Sequence, residues 1–291
     1  MKGVFNMIKW IVSDMDGTLL NAQGTISPGN RAALQRAIAK GAKLVVATGR
    51  ELSSVREILN QCQLSALAIL GNGAQFVDEN DRLLKTAYLD PSLFKPVTKI
   101  FDDLGIHYMI FAADGFYATH DPADVCEAFI QRCMHRFGRS REQTLSRGPM
   151  PCMQLIKIHD VDAFLQEAHD IIKVEAFSIN EELIVKAKKQ LSQLTGIAYL
   201  SSYSDNVEVT DAHAQKGLIL EEAIQLLGLV KEEVMVLGDA FNDVTMFERF
   251  PYSFAMGNAE KAIKEMAYRV VANCEEDGVA EAIDWMFKED H

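Results

Sequence analysis

The sequence predicts an α/β protein, a three-layer core on a mainly parallel sheet with a smaller α+β domain inserted into it. Three observations carry this. Short apolar runs alternate with helical patterns at both ends of the chain, as strands buried on both faces require. The middle mixes helices with alternating strands and turn residues instead. The 291 residues are also long for one core and comfortable for two. The expected boundaries are residues 1–83 and 208–291 for the core and 84–207 for the insert.

The elements follow in order. Trp10–Ser13 is the first strand. Ser27 before Pro28 is a helix N-cap followed by proline at the first helical position. Ala32, Leu34, Ala37 and Ile38 then recur at helical spacing, and Gly41 ends the helix. Lys43–Ala47 is a strand, Glu51–Asn60 a helix and Ala66–Leu70 a third strand. The turn residues Asp78–Asp81 join Ala74–Val77 to Leu83–Ala87 as a hairpin. In the insert, helices are expected over Pro91–Leu104, Pro122–Phe137, Val161–Lys173 and Asn180–Leu194. Its strands are His107–Ala112, Met153–His159, Ala198–Tyr203 and Val207–Thr210, with a basic loop at residues 138–151. The core resumes with a helix over Ala214–Leu227 and a strand over Glu233–Leu237. A short helix, Asn242–Phe250, the strands Tyr252–Met256 and Arg269–Ala272, and the helix Val279–Phe287 complete it.

Composition narrows the function. With 29 basic and 41 acidic residues the net charge is −12, which repels nucleic acid and anionic lipid. No apolar run approaches a membrane span, and MKGVFNMIKW is neither signal peptide nor anchor. Met7 can equally be the natural start, which leaves residues 1–6 as an extension. The five cysteines, an odd number without CxxC spacing, read as reduced thiols of a cytoplasmic protein. The expected partner is a small-molecule phosphoester, and the expected assembly a monomer or homodimer.

Four polar stretches each follow directly on a predicted strand: DMDGT at Asp14–Thr18, TGR at Thr48–Arg50, GNG at Gly71–Gly73 and GDAFND at Gly238–Asp243. In a parallel sheet all four meet at the carboxyl edge, where open α/β sheets bind ligands. Asp14, Asp16, Asp239 and Asp243 then cluster, and such carboxylates stay ionised together only around a cation. Oxygen donors of this kind suit Mg²⁺. Phosphate donors surround them: the Thr48 hydroxyl, the amides near Gly17 and Gly49, the Asn242 side chain, Lys216 at a helix start, and Arg50. Metal, nucleophile, acid and anion clamp together spell phosphoryl transfer. Asp14, first after its strand, is the expected nucleophile. Asp16, displaced by the turn, is the expected proton donor to the leaving oxygen and later the base for water. Each stretch alone is weak, since DxDG is often a solvated turn and an isolated lysine a surface residue. Their order and joint placement carry the reading. The seven histidines show no HxxxH or HxH spacing. His135, His159 and His169 read as surface or packing residues of the insert. His213 lies nearest the site at the lysine approach, with substrate contact as its lesser reading, and Met246-Phe247 reads as helix core.

DMDGTLL, ATGR, Lys216-Gly217 and GDAFND resemble, in order and spacing, the four motifs of the haloacid dehalogenase superfamily. The long insert before the lysine, Asn72-Gly73-Ala74 and the late DGVAEAI at Asp277–Ile283 resemble its C2-capped branch, the Cof-type phosphatases of subfamily IIB. The resemblance implies a Rossmann-like core under a C2-type cap and Mg²⁺-dependent hydrolysis of small phosphorylated metabolites through an aspartyl-phosphate. By position it implies Asp14 as nucleophile and metal ligand, and Asp16 as acid/base that offers its backbone carbonyl to the metal. Thr48 and Lys216 bind phosphate, Asp239 binds the metal directly, Asn242 contacts phosphate, and Asp243 orients metal-bound water. Ser13 and Met15 depart from the usual first motif, where neither side chain needs to touch the metal. Sugar phosphates lead the expected substrates, with flavin mononucleotide and pyridoxal phosphate inside the family's range. The rival readings are a phosphosugar mutase of the same architecture and a non-catalytic phosphometabolite-binding protein. Tyr108, Phe111, Phe116 and Tyr117 in the insert read as strand core before ring stackers.

Overall fold

The computed structural model of the chain describes residues 7–146, 148, 150–201 and 203–287. Residues 1–6, and Arg147 and Pro149 of the basic loop, lie outside the described residues. The chain forms two compact units, one running to Thr86 and resuming at His213, the other spanning Ala87–Ala212. These crossings fall a few residues beyond the expected 83 and 207, and strand pairing explains both. Leu83–Thr86 pairs with Gln75–Val77 in the first unit. Asn206–Asp211 is hydrogen-bonded between Ile171–Phe177 and Ile197–Leu200 in the second.

Among the described residues, the first unit holds an eight-stranded sheet. Across it run Arg269–Val270, Tyr252–Ala255, Val234–Gly238, Trp10–Ser13, Lys43–Ala47, Ala66–Leu70, Gln75–Val77 and Leu83–Thr86. The strands are parallel as far as Ala66–Leu70. The last two fold back antiparallel through a turn in which Asp78 Oδ1 accepts from the N–H groups of Asn80 and Arg82. Successive residues of the parallel strands bury on opposite faces, which is why their sequences are continuously apolar. Ile11, Leu44, Val46, Ala68 and Leu237 pack with residues of the helices Pro28–Ala39, Leu52–Gln61 and Gly278–Met286. Trp10, Val12, Val45, Ile69 and Val236 pack with those of Lys216–Leu226, Val244–Arg249 and Lys261–Met266. Ser27 caps the first helix by accepting from Asn30 N–H at 3.1 Å.

The second unit is α+β. Among the described residues its sheet has six strands, in the order Ile197–Leu200, Asn206–Asp211, Ile171–Phe177, His107–Ala112, Gly115–Ala118 and Leu155–Lys157. Tyr108, Ile110, Val174, Ala176, Val207 and Val209 form one buried face with residues of the helices Pro91–Leu104, Val161–Gln166 and Glu181–Leu191. Met109, Ala118 and Phe177 form the other, with Val125 of helix Pro122–Phe137 and Cys152.

Three readings of this region are corrected. The helix expected over Val161–Lys173 ends at Gln166, the chain turns through Ala168 at φ 56°, and a strand begins at Ile171. That strand's pattern is masked by charge: Lys173 is buried, pairing with Glu208 at 2.7 Å and with Glu175 at 3.4 Å. Gly115–Ala118 is a strand that the sequence reading does not contain. The strand expected over Met153–His159 begins as a 3₁₀ turn, Pro151–Gln154, and pairs only over Leu155–Lys157.

Candidate active site

Parallel pairing brings distant segments to one edge of the first unit's sheet. Ser13 is level with Leu237 on one side and Val46 on the other. Asp14 N–H donates to Leu237 O at 3.0 Å, and Thr48 N–H to Ile69 O at 2.8 Å. The first strand thus ends beside the two that carry GDAFND and TGR. After Asp14 the chain turns tightly, with Gly17 at φ 81°. A Cβ on Gly17 would lie 2.4 Å from Asp239 Oδ2, so only glycine lets the turn approach that carboxylate.

Lys216 opens the helix Lys216–Leu226 and is fully buried. Its Nζ donates to Asp14 Oδ1 at 2.6 Å and to Asp243 Oδ1 at 2.7 Å. The other oxygen of Asp243 accepts from the N–H groups of Asp239 (3.0 Å) and Ala240 (3.1 Å), which holds the GDAFND turn closed. Asp239 Oδ1 accepts from Thr18 Oγ1 at 3.0 Å. Carboxylate oxygens of Asp14, Asp239 and Asp243 all lie within 4.8 Å of one another.

The charges here are uneven. Burial drives the Asp14 carboxyl well above its usual range, Lys216 pulls it back, and Asp243 and Asp239 push it further up. Burial, then Asp243, pushes Asp239 up to about 6. Burial works against the Lys216 ammonium, but Asp14 and Asp243 outweigh it and hold the lysine protonated above its usual value. Three carboxylates facing one ammonium leave a deficit of positive charge in a buried, all-oxygen site. That donor set fits Mg²⁺, with Asp14, Asp239 and Asp243 as the residues that would hold it.

Asp16 does not join this cluster through its carboxylate, a correction to the expected group of four. The Asp16 side chain is 55% exposed and takes a two-pronged contact from Arg50, Nη2 to Oδ1 at 2.6 Å and Nε to Oδ2 at 2.8 Å. The turn points Asp16 across to the loop after the next strand, where Arg50 also donates to Ser54 Oγ. Arg50, expected near phosphate, is thereby tied to the expected proton donor. Thr48 is buried, with its Oγ1 accepting from Arg50 N–H at 3.2 Å. Gly49 packs on Asn72, whose Oδ1 would lie 3.1 Å from an added Cβ. Asn242 Nδ2 donates to that same Asn72 Oδ1 at 3.1 Å.

Asn258 is a site residue that sequence reasoning missed. Its Nδ2 donates to Gly17 O at 2.8 Å and to Asp239 Oδ2 at 3.2 Å, and its Oδ1 accepts from Cys274 N–H at 3.0 Å. The signal was present: it follows the strand Tyr252–Ala255 at the same carboxyl edge, a fifth loop to which the convergence argument applies.

Comparison with known proteins agrees with this geometry. Residues 11–283 match the haloacid dehalogenase-like hydrolase family. The 5-amino-6-(5-phospho-D-ribitylamino)uracil phosphatase YcsE of Bacillus subtilis is 30% identical over 276 residues, 95% of this chain and 94% of that protein. The pyridoxal phosphate phosphatase YbhA of Escherichia coli is 26% identical over 279 residues, 94% of this chain and 96% of that protein. The solved structure of a haloacid dehalogenase-like hydrolase from B. subtilis matches with a TM-score of 0.81 at 25% identity, covering 95% of this chain and 99% of the other. Sheet order, converging motifs and full-length likeness lead to one conclusion: the chain belongs to the haloacid dehalogenase-like hydrolases.

Proposed function

We propose that this protein is a Mg²⁺-dependent phosphatase that hydrolyses small phosphorylated metabolites, sugar phosphates foremost, through an aspartyl-phosphate on Asp14. As a class it is a phosphoric monoester hydrolase. The observation that carries the mechanism is the Asp14 carboxylate, pinned by Lys216 through Oδ1 within 4.8 Å of Asp239 and Asp243. Relatives named for a phosphoribitylamino-uracil and for pyridoxal phosphate support a small phosphorylated metabolite as substrate.

Lys216 takes one oxygen of Asp14 and leaves Oδ2 to attack phosphorus. The Thr48 hydroxyl, the Gly49 amide and the Asn242 side chain bind the phosphoryl oxygens. Asp16 sits at the rim against Arg50; it leaves that contact and takes a proton from solvent as substrate enters, then gives the proton to the departing alkoxide as the P–O bond breaks. The same carboxylate then takes a proton from water, which attacks phosphorus and frees Asp14. When bound by Asp14, Asp239 and Asp243, with the Asp16 backbone carbonyl, Mg²⁺ supplies the charge that offsets repulsion between the Asp14 carboxylate and the phosphate. A cytoplasmic setting is supported by the odd number of cysteines without CxxC spacing. No described helix is long and apolar enough to cross a membrane.

The test is a screen of phosphorylated metabolites with Mg²⁺, using wild type and Asp14→Asn. Phosphate release by wild type, cut about a thousandfold or more by the substitution at unchanged melting temperature, is expected. Isomer formation without free phosphate would assign a mutase instead. Silence across the panel would leave a binding protein.

A further inference from the structure

We propose that Asn258 is a positioning residue for the metal site, one that fixes the Asp239 carboxylate and the Asp14–Thr18 turn in the geometry that captures Mg²⁺. The inference rests on the metal reading above and adds a residue outside the four motifs.

The Asn258 amide has its orientation dictated by its partners. Gly17 O and Asp239 Oδ2 are both acceptors and require the NH₂ group, whereas Cys274 N–H is a donor and requires the carbonyl. Both amide hydrogens are therefore committed to the site. They tie together two segments far apart in sequence, the first-motif turn and the aspartate of the fourth, beside the link that Thr18 makes. Asp239 is otherwise held by Thr18 on its other oxygen. With both donors in place the carboxylate cannot rotate about its last torsion. Without Asn258, Oδ2 loses its donor and the Gly17 carbonyl its tether. Glycine at 17 adds no side chain to fill the gap, since a Cβ there would strike Asp239 itself. Outer hydrogen bonds of this kind typically change metal affinity about 10- to 100-fold.

Metal binding is read directly, by the electron paramagnetic resonance signal of free Mn²⁺ on titrating metal-free full-length protein. Asn258→Ala is expected to raise the Mn²⁺ dissociation constant about tenfold. The melting temperature of the metal-free protein should stay near that of wild type, because the side chain is exposed. In turnover, the Mg²⁺ activation constant should rise by the same factor, and excess Mg²⁺ should restore the rate. If the alanine variant does not fold, Asn258→Leu, of similar breadth and without donor or acceptor, gives the same readouts. Unchanged Mn²⁺ affinity overturns the proposal. So does a loss of rate that excess Mg²⁺ does not restore, which would mark general distortion. Wild type that takes up no Mn²⁺, with Asp239→Asn identical to it, overturns the metal reading and this inference together.

Discussion

Lys216 is buried between two carboxylates, and neither has another ammonium or guanidinium within salt-bridge distance among the described residues. Replacing it with alanine leaves Asp14 and Asp243 desolvated without their cation. A loss of about 3–5 kcal/mol is expected in urea denaturation of the metal-free protein at pH 7. At this scale the sequence was a good guide to where a residue sits when it directly follows a strand. Asp14, Asp239 and Asp243 converge because their strands are adjacent and parallel; the parallel sense was readable from the continuous apolar runs, the adjacency was not. The Arg50–Asp16 contact was not legible, since which carboxylate a long guanidinium reaches depends on loop geometry that spacing does not encode. Asn258 was legible by its place after the strand Tyr252–Ala255 but not by its chemistry, since an uncharged amide carries no charge or motif that singles it out. The two departures in the first motif have local explanations: Met15 packs in the core, and Ser13 Oγ donates to Asp14 O at 2.7 Å.

Among the elements, the helix Lys216–Leu226 is seated by its second residue. Gly217 N–H donates to Thr245 Oγ1 at 2.9 Å, and a Cβ at 217 would lie 2.0 Å from Thr245 O. Gly217→Ala must therefore push the helix start away from the site and carry Lys216 with it. A misplacement of about 1 Å at a catalytic group costs on the order of a hundredfold in rate, and kcat/KM is expected to fall by that much. In the second unit, the misread helix end is also where a titrating group sits. His169 stacks on Phe164 with ring centroids 4.3 Å apart, and its nitrogens reach Asp114 (2.7 Å) and Glu167 (3.1 Å). Burial alone would lower this histidine, but the two carboxylates outweigh it and raise it above its usual value. The charged ring is favoured by folding, so its contribution is complete below about pH 6.5 and fades as pH rises through the raised value. His169→Gln is expected to cost about 0.5–1 kcal/mol at pH 6 and less at pH 9, read from urea midpoints. The strand Ile171–Phe177 escaped the sequence because its hydrophobic alternation is broken by Lys173 and Glu175. Their neutralising partners, Glu208 and Arg132, are brought near only by the fold.

Across the whole molecule, each unit closes its own apolar core, one pair of clusters in the first and another in the second. Mg²⁺ should therefore stabilise the unit that carries the carboxylates. At about 100 times the dissociation constant it is expected to add about 2.7 kcal/mol to that unit's unfolding, with EDTA reversing the gain in calorimetry. The existence of an insert was legible because the period of the hydrophobic pattern changes where the sheet changes from parallel to antiparallel. Its edges were placed a few residues short because pairing partners, not composition, decide where a strand belongs. The sheet order also sets a timetable. Trp10–Ser13 is flanked by Lys43–Ala47, synthesised soon after it, and by Val234–Gly238, synthesised near the end. Until the ribosome has released the later strand, the nascent chain keeps a bare hydrogen-bonding margin along its innermost strand, a template for unwanted pairing. Messages truncated ahead of Val234 should accordingly yield aggregates or chaperone clients, never a weakened catalyst.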